Sequence, residues 1–382
     1  MTGVDDNVPR SVLIISAEMG EGHNAAAAAL TEAMKECWPD CQIERLDTME
    51  LRGARFARAA RWAYGFQLSA LPWSYEIFYG WLSKSDGFAR VARRWVGDFF
   101  GPRLQRVIAR HSPDLVISTY PFGSAALDWM RRTQGYRAPS VTYIPAFHVH
   151  PLWVYEGIDR HFVMYDTAAA DALLPAAESS LRVGAPPVRR GFGDHLRSEV
   201  RKNLDVPLDD FVVLMTGGAW GLGGIRPGVE ALVALDPPVH VLAVCGKNAS
   251  LEAELRELAA KRPGRLTVFG YTSQMPELMS AANVVVTNGA GVTVLEALRT
   301  PRPVICFAPL AGHGTYSTAE MVRRNLAVAA KDVPALVDQV RLLRTDDELL
   351  RTMEKAGESW VEGREMVRSV REIEELYRSH AH

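Results

Sequence analysis

Near the start of the chain, Ser11–Ser16 encloses the apolar run Val12-Leu13-Ile14-Ile15. Its β-branched residues and lack of polar alternation predict a parallel strand buried on both faces. A turn follows, Glu18-Met19-Gly20-Glu21-Gly22-His23-Asn24. Then comes the alanine-rich stretch 25–37, with Leu30, Ala33, Met34 and Cys37 at helical spacing. Strand, glycine turn and helix in that order open a doubly wound α/β domain. Further apolar runs at 115–118, 141–144 and 161–164, each followed by turn or helix material, carry the alternation to about residue 185.

Pro and Gly punctuate 185–193, which reads as a linker. Beyond it the pattern restarts with a strand at 211–215 running into Thr216-Gly217-Gly218-Ala219-Trp220-Gly221-Leu222-Gly223-Gly224. Strands at 239–244, 266–269, 283–286 and 304–307 follow, separated by helical stretches such as 251–260 and 291–299. After Lys331 the chain turns helical and charged. The expected architecture is α/β, with two Rossmann-like doubly wound domains facing a central cleft. The first occupies 1–188 and binds the acceptor, the second 189–355 and binds the nucleotide, and a helical tail at 356–382 packs back on the first domain. In such sheets ligands bind outside the carboxyl ends of the strands.

Composition narrows the class. The chain has 382 residues, 43 Lys+Arg against 45 Asp+Glu, and 48% hydrophobic residues, which excludes a disordered chain and a global polyanion-binding surface. No nucleic-acid partner is expected. No apolar run approaches the roughly 18 residues that span a bilayer, and the run at 12–15 is too short for a signal-peptide core. Four cysteines do not make a disulfide framework, and Cys37, Cys41, Cys245 and Cys306 read as packing residues. A cytoplasmic protein is expected, peripheral at the inner face of a membrane if the next segment meets lipid.

That segment is 51–110. It interleaves Arg52, Arg55, Arg58, Arg61, Arg90, Arg93, Arg94, Arg103 and Arg106 with aromatics from Phe56 to Phe100, including Trp62, Trp73, Trp81 and Trp95. A basic, aromatic, amphipathic insert suits an anionic membrane surface or a hydrophobic acceptor. The same residues also fit aromatics packed in a core under solvated arginines.

Three loops carry candidate chemistry. Gly20-Glu21-Gly22-His23-Asn24-Ala25 fits the relaxed dinucleotide fingerprint, and Asp47 stands about 20 residues on, where a ribose-binding acid is expected. Any tight strand-to-helix turn near a ligand also selects glycine. His23 opens the helix; a neutral imidazole there can take a proton from a hydroxyl near neutral pH, or merely cap backbone. The loop 217–224 offers backbone N–H groups to phosphate oxygens. In Gly289-Ala290-Gly291-Val292-Thr293-Val294-Leu295-Glu296, a Gly-x-Gly turn opens a helix. Glu296 then lies about 1.4 turns along it, where a carboxylate can accept from two vicinal ribose hydroxyls.

The Gly20-x-Gly22-His23 loop and the Gly291-x-Thr293-x-x-Glu296-Ala297 segment resemble the monogalactosyldiacylglycerol synthase and processive diacylglycerol glucosyltransferase group. The lipid II-forming N-acetylglucosaminyltransferase is a more distant relative. The resemblance runs from about 11 to 330 and includes Asp114-Leu115-Val116-Ile117-Ser118-Thr119-Tyr120-Pro121 and the stretch 153–163. It implies a GT-B fold and inverting transfer from a nucleotide diphosphate sugar, usually a UDP-sugar, to a lipid or hydrophobic hydroxyl. It implies no resident cofactor and no metal, and the chain has no Asp-x-Asp signature. By resemblance His23 is the acceptor base, and Gly22, Phe147 and His148 border the acceptor. By the same resemblance Gly289, Gly291, Val292 and Thr293 hold the diphosphate, Glu296 the ribose, and Tyr271 and Met275 border the base. Gly217 and Gly218 of the second glycine loop are expected to join the diphosphate site, and Gly312 and His313 stand where relatives hold the sugar.

Two departures stand out. Relatives carry Thr-Asp-Phe where this chain has Pro145-Ala146-Phe147, leaving His148 or His150 to replace the acid. They carry Pro-Gly-Gln-Glu where it has Ala311-Gly312-His313-Gly314-Thr315. A nucleotide-sugar epimerase or a transferase for a soluble secondary metabolite shares the implied fold. An NAD-dependent oxidoreductase would use 20–25 but leave Glu296 and the second glycine loop idle.

Overall fold

The computed structural model describes residues 8–166, 179–289 and 291–381. Two compact units divide the chain: 1–189 with 363–382, and 190–362. The sequence pattern puts these breaks at 188 and 355, so the second unit runs further than its glycine and strand signals suggest. The reason lies in the last helices, described below.

In the first unit six parallel strands lie in the order β2-β1-β3-β4-β5-β6. They are β1 Ser11–Ser16, β2 Gln42–Asp47, β3 Leu115–Ser118, β4 Ser140–Tyr143, β5 Arg160–Val163 and β6 Leu181–Val183. Val12 to Ile15 are at most 2% exposed, as a strand covered on both faces requires. Helix α1, Gly22–Cys37, follows β1, and α5, Pro121–Gln134, follows β3. The insert folds as three helices, α2 Ala54–Ala70, α3 Pro72–Lys84 and α4 Asp86–His111. α4 docks closely on α5, because Gly97 and Gly101 lie one turn apart on its inner face. A Cβ at Gly101 would sit 2.4 Å from the Trp129 ring, so only glycine lets the helices approach this far.

The second unit repeats the plan as β12-β11-β10-β7-β8-β9, again all parallel. Its strands are β7 Val212–Thr216, β8 His240–Val244, β9 Leu266–Phe269, β10 Val284–Thr287, β11 Val304–Phe307 and β12 Val328–Ala330. Its helices are α6 Arg197–Asn203, α7 Ile225–Val233, α8 Ala249–Ala260, α9 Met275–Ala281, α10 Val292–Arg299, α11 His313–Arg323, α12 Val333–Thr345 and α13 Asp347–Val361. Edge strands β6 and β12, three residues each and partly exposed, lack the apolar run that marks the central strands.

The charged C-terminal stretch splits between the units. α13 packs on α10, whereas α14, Met366–Ala381, packs on α1. Val370 and Ile373 of α14 are fully buried, Trp38 Nε1 donates to Glu374 Oε2 at 2.9 Å, and Arg364 donates to the carbonyls of Met164 and Gly184 at 2.7 Å. No described helix is long and apolar enough to cross a membrane. The four cysteines are unpaired thiols, and Cys41, Cys245 and Cys306 are buried.

Candidate functional site

Each sheet has one point where the strand order reverses, and the candidate residues gather there. In the first unit the chain leaves β1 for β2 on one side and returns to β3 on the other, so a crevice opens between the loops after β1 and β3. His23 sits at one lip and Thr119-Tyr120 at the other. His23 Nδ1 lies 2.8 Å from the Thr119 carbonyl, and Thr119 Oγ1 donates to the His23 carbonyl at 3.1 Å. A carbonyl can only accept, so Nδ1 carries hydrogen and, in the neutral ring, the basic lone pair belongs to Nε2. The ring is half-buried, edge-on to Tyr120 at 4.9 Å and 5.8 Å from Trp153. Burial keeps the Tyr120 phenol protonated by raising its pKa far above the ordinary range.

The loop bearing His23 is held at several places. Ser16 Oγ lies 2.6 Å from Asn24 Oδ1, and Thr48 Oγ1 donates to the Ser16 carbonyl at 2.7 Å. Asp47 accepts from the backbone N–H of Glu18 at 2.9 Å and of Met49 at 2.7 Å, and from Arg61 at 3.0 Å. A ribose-binding acid in the dinucleotide reading would face a ligand. This carboxylate faces its own loop, and the oxidoreductase reading loses its anchor.

The other acceptor candidates lie beyond Trp153. His150 Nδ1 accepts from the Leu152 N–H at 3.2 Å, and its ring is 6.0 Å from Trp153. Tyr79, from insert helix α3, packs edge-on to His150 at 5.2 Å and against His148 at 5.8 Å; His148 Nε2 is 3.5 Å from Ser83 Oγ. A continuous row of rings therefore runs from the insert to His23. Gly22 is the first residue of α1, beside His23. Phe147, expected beside the acceptor from its motif, is fully buried.

In the second unit the reversal falls between β7 and β10, whose last residues Thr216 and Thr287 pair in register. The two loops that follow share one device: the Gly218 N–H donates to Thr216 Oγ1 and the Gly289 N–H to Thr287 Oγ1, both at 3.2 Å. Gly218 has φ +68°, and nothing lies within 4 Å of where a Cβ would point, so the position demands glycine for its backbone while leaving space beside it. Gly217, Gly291 and Thr293 stand at the same crevice, and Ala290 lies outside the described residues. Val292 is only 4% exposed and can offer a ligand its backbone alone. Glu296 is buried on α10.

Sequence reasoning assigned no role to Asn288, yet it organises this end of the sheet. Its side-chain amide donates to the Leu222 carbonyl, and its own carbonyl accepts from the Leu310 N–H at 3.1 Å, so it ties the loops after β7, β10 and β11. A buried Asn ending an apolar strand was the available signal. On the β11 side, Gly312 (φ +70°) caps α11 and His313 opens it; desolvation pushes the His313 pKa down to about 4. On the other side, Tyr271 follows β9 with its ring 63% exposed and Lys247 Nζ 5.1 Å from its centroid, and Met275 opens α9. Two strand spacings, about 10 Å, separate β9 from β7. That distance suits a ligand with a flat ring at one end and an anionic group at the other.

Residues 23–180 match the family described as Monogalactosyldiacylglycerol (MGDG) synthase, and residues 197–360 match Glycosyl transferases group 1. A processive diacylglycerol beta-glucosyltransferase of Bacillus cereus (strain AH187) is 27% identical over 356 residues, covering 91% of this chain and 89% of that protein. Among solved structures, Acinetobacter baumannii MurG aligns with a TM-score of 0.59 and 15% identity over 96% of this chain and 99% of that one. Anabaena Alr3699/HepE in complex with UDP-glucose gives 0.56 and 14% over 96% and 98%. These likenesses show the GT-B fold.

Proposed function

We propose, for a chain that is a GT-B glycosyltransferase carrying a monogalactosyldiacylglycerol synthase domain and a glycosyl transferases group 1 domain, that it moves a sugar from a UDP-sugar to the hydroxyl of a diacylglycerol-like lipid with inversion at the anomeric carbon. The observation that carries this reading is the fixed His23 imidazole at the switch point of the first sheet, with its lone pair assigned to Nε2. His23 Nε2 takes the acceptor proton while the acceptor oxygen forms its bond to the anomeric carbon. The bond from that carbon to the diphosphate oxygen breaks, and the electron pair leaves with the diphosphate. Positioned base catalysis supplies about 10² to 10⁴-fold.

The developing charge on the departing diphosphate is met by the N–H groups of Gly217, Gly218, Gly289 and Gly291, and by the Thr293 hydroxyl. Each such donor is worth about 2.7–4 kcal/mol in the transition state. Glu296 accepts from the ribose hydroxyls, Tyr271 and Met275 border the base, and Gly312 and His313 the sugar. His313, neutral at pH 7 because of its depressed pKa, contacts the sugar by hydrogen bonding. The nucleotide sugar is a co-substrate; the proposed reaction needs no resident cofactor or metal. Gly22 and the His148 region border the acceptor. Similarity to a processive diacylglycerol beta-glucosyltransferase supports diacylglycerol as the acceptor. The UDP-glucose bound to the Anabaena protein of the same fold supports UDP as the nucleotide.

The insert supports a peripheral seat on an anionic membrane. Trp62, Phe66, Trp73, Ile77, Trp81 and Trp95 are all at least 49% exposed, and exposed Arg55, Arg58, Arg90 and Arg94 stand among them. Such rings favour the bilayer interface, and the guanidinium groups its anionic headgroups.

The test is transfer of labelled sugar from UDP-glucose and UDP-galactose to diacylglycerol in mixed vesicles, with the product's anomeric configuration read by NMR. An inverted glycolipid is expected; a retained configuration removes His23 as the base. Thermal shifts with UDP, GDP and NAD separate the nucleotides, since a ligand at 100 times its Kd stabilises by about 2.7 kcal/mol.

A further inference from the structure

Helix α2 does more than present Trp62 and Phe66 outward. Its Arg61 turns the other way and reaches the loop that carries His23. Arg61 Nη2 is 3.0 Å from Asp47 Oδ2, Nη1 is 3.2 Å from Glu18 Oε2, and Glu50 lies 3.7 Å away. Asp47 accepts the backbone N–H of Glu18 through the same Oδ2 that meets the guanidinium. One guanidinium thus fixes both the side chain of Glu18 and the carboxylate that holds its main chain. Five residues on, His23 begins its contact with Thr119. The Arg61 side chain is 22% exposed and that of Asp47 14%, so the pair is partly withdrawn from water, where a charge pair is screened less than at the surface.

We infer that Arg61 is a positioning residue: through Asp47 and Glu18 it sets the loop that aims the His23 imidazole, and so ties the proton-accepting group to the helix bearing the exposed aromatic face. The inference rests on His23 as the base. Removing the guanidinium leaves the Asp47 and Glu18 carboxylates close together without their shared counter-charge, and the loop between Ala17 and His23 shifts. A displacement near 1 Å at the reacting group costs about 10²-fold in turnover. A lysine at this position loses less, because an ammonium can still neutralise one carboxylate but cannot fork between two.

The test compares wild type, Arg61→Met and Arg61→Lys in the full chain by two readouts. Imidazole ¹⁵N spectra report the His23 ring directly, its signals identified by their disappearance in His23→Gln. Steady-state transfer from UDP-sugar to detergent-dispersed diacylglycerol reports kcat and donor KM. In Arg61→Met the His23 signals should move and kcat should fall about 10- to 100-fold with donor KM unchanged, and Arg61→Lys should recover a large part of kcat. Unmoved His23 resonances overturn the inference whatever happens to turnover, as does a kcat within about twofold of wild type. Absence of any lipid transfer by the wild type counts against the functional reading alone; the imidazole spectra still decide the clamp.

Discussion

Trp73 and Trp81 occupy one face of α3, two turns apart with Ile77 between them, and each is 63% exposed. The double substitution Trp73→Ala, Trp81→Ala asks whether that face meets lipid. Taking about 250 Å² for each side chain, the two rings leave roughly 300 Å² in water. At about 25 cal/mol per Å², complete cover would be worth about 8 kcal/mol. A ring at headgroup level stays partly wet, so about a third of that, ~2.5 kcal/mol, is a reasonable share. This corresponds to a loss of about 10²-fold in partitioning onto vesicles. The assay is sedimentation with vesicles containing phosphatidylglycerol, with a series of purely neutral vesicles beside it. Both rings are mostly in water, and Trp81 meets Phe88 only edge-on at 6.1 Å. Folding stability should therefore fall by no more than about 1 kcal/mol. Wild-type binding should weaken on neutral lipid and at high salt, because the arginines act through screened charge. Partitioning of the double variant within about threefold of wild type on anionic vesicles would refute lipid contact by this face.

Three further outcomes can be checked. His23→Ala should lower kcat by about 10² to 10⁴-fold while leaving UDP affinity unchanged by calorimetry, and near-normal turnover would end its role as base. Glu296→Gln should raise donor KM by about 10- to 100-fold with little change in kcat, since a hydrogen bond to a charged group is worth about 1.5–3 kcal/mol; an unchanged KM would take Glu296 out of the ribose site. Acid should destabilise the first unit through His161. It is fully buried, Nε2 accepts the Tyr155 N–H at 3.2 Å and Nδ1 lies 2.9 Å from Ser180 Oγ, and desolvation pushes its pKa down to about 3. Because the folded pKa is below the unfolded value near 6.5, its contribution is whole above pH 6.5 and is lost as pH falls toward 3. His161→Gln should flatten that part of a urea-denaturation series against pH, and an unaltered slope would point to other groups.

The central strands, both glycine turns and the helix carrying Glu296 were legible in the sequence, because buried parallel strands and tight strand-to-helix turns leave strong local marks. So was the candidate base: His23 follows a strand, a glycine turn and the start of a helix, all readable from neighbours. Short edge strands such as Leu181–Val183 escaped, since three half-exposed residues carry no period. What the tertiary structure alone decided is which residues share a crevice. Thr119 stands 96 positions from His23, and only the crossover from β2 back to β3 brings its carbonyl to Nδ1. Asp47 has the right type and spacing for a ribose acid, yet the Glu18 and Met49 N–H groups and Arg61 of α2 made it a loop anchor. Phe147 and Val292 sit in motifs that suggest contact with ligands, and only the tertiary structure shows that both side chains are buried. Local patterns record what each residue prefers over a few neighbours. The partner of a polar group is set by strand order and helix packing, which no short window of the chain contains.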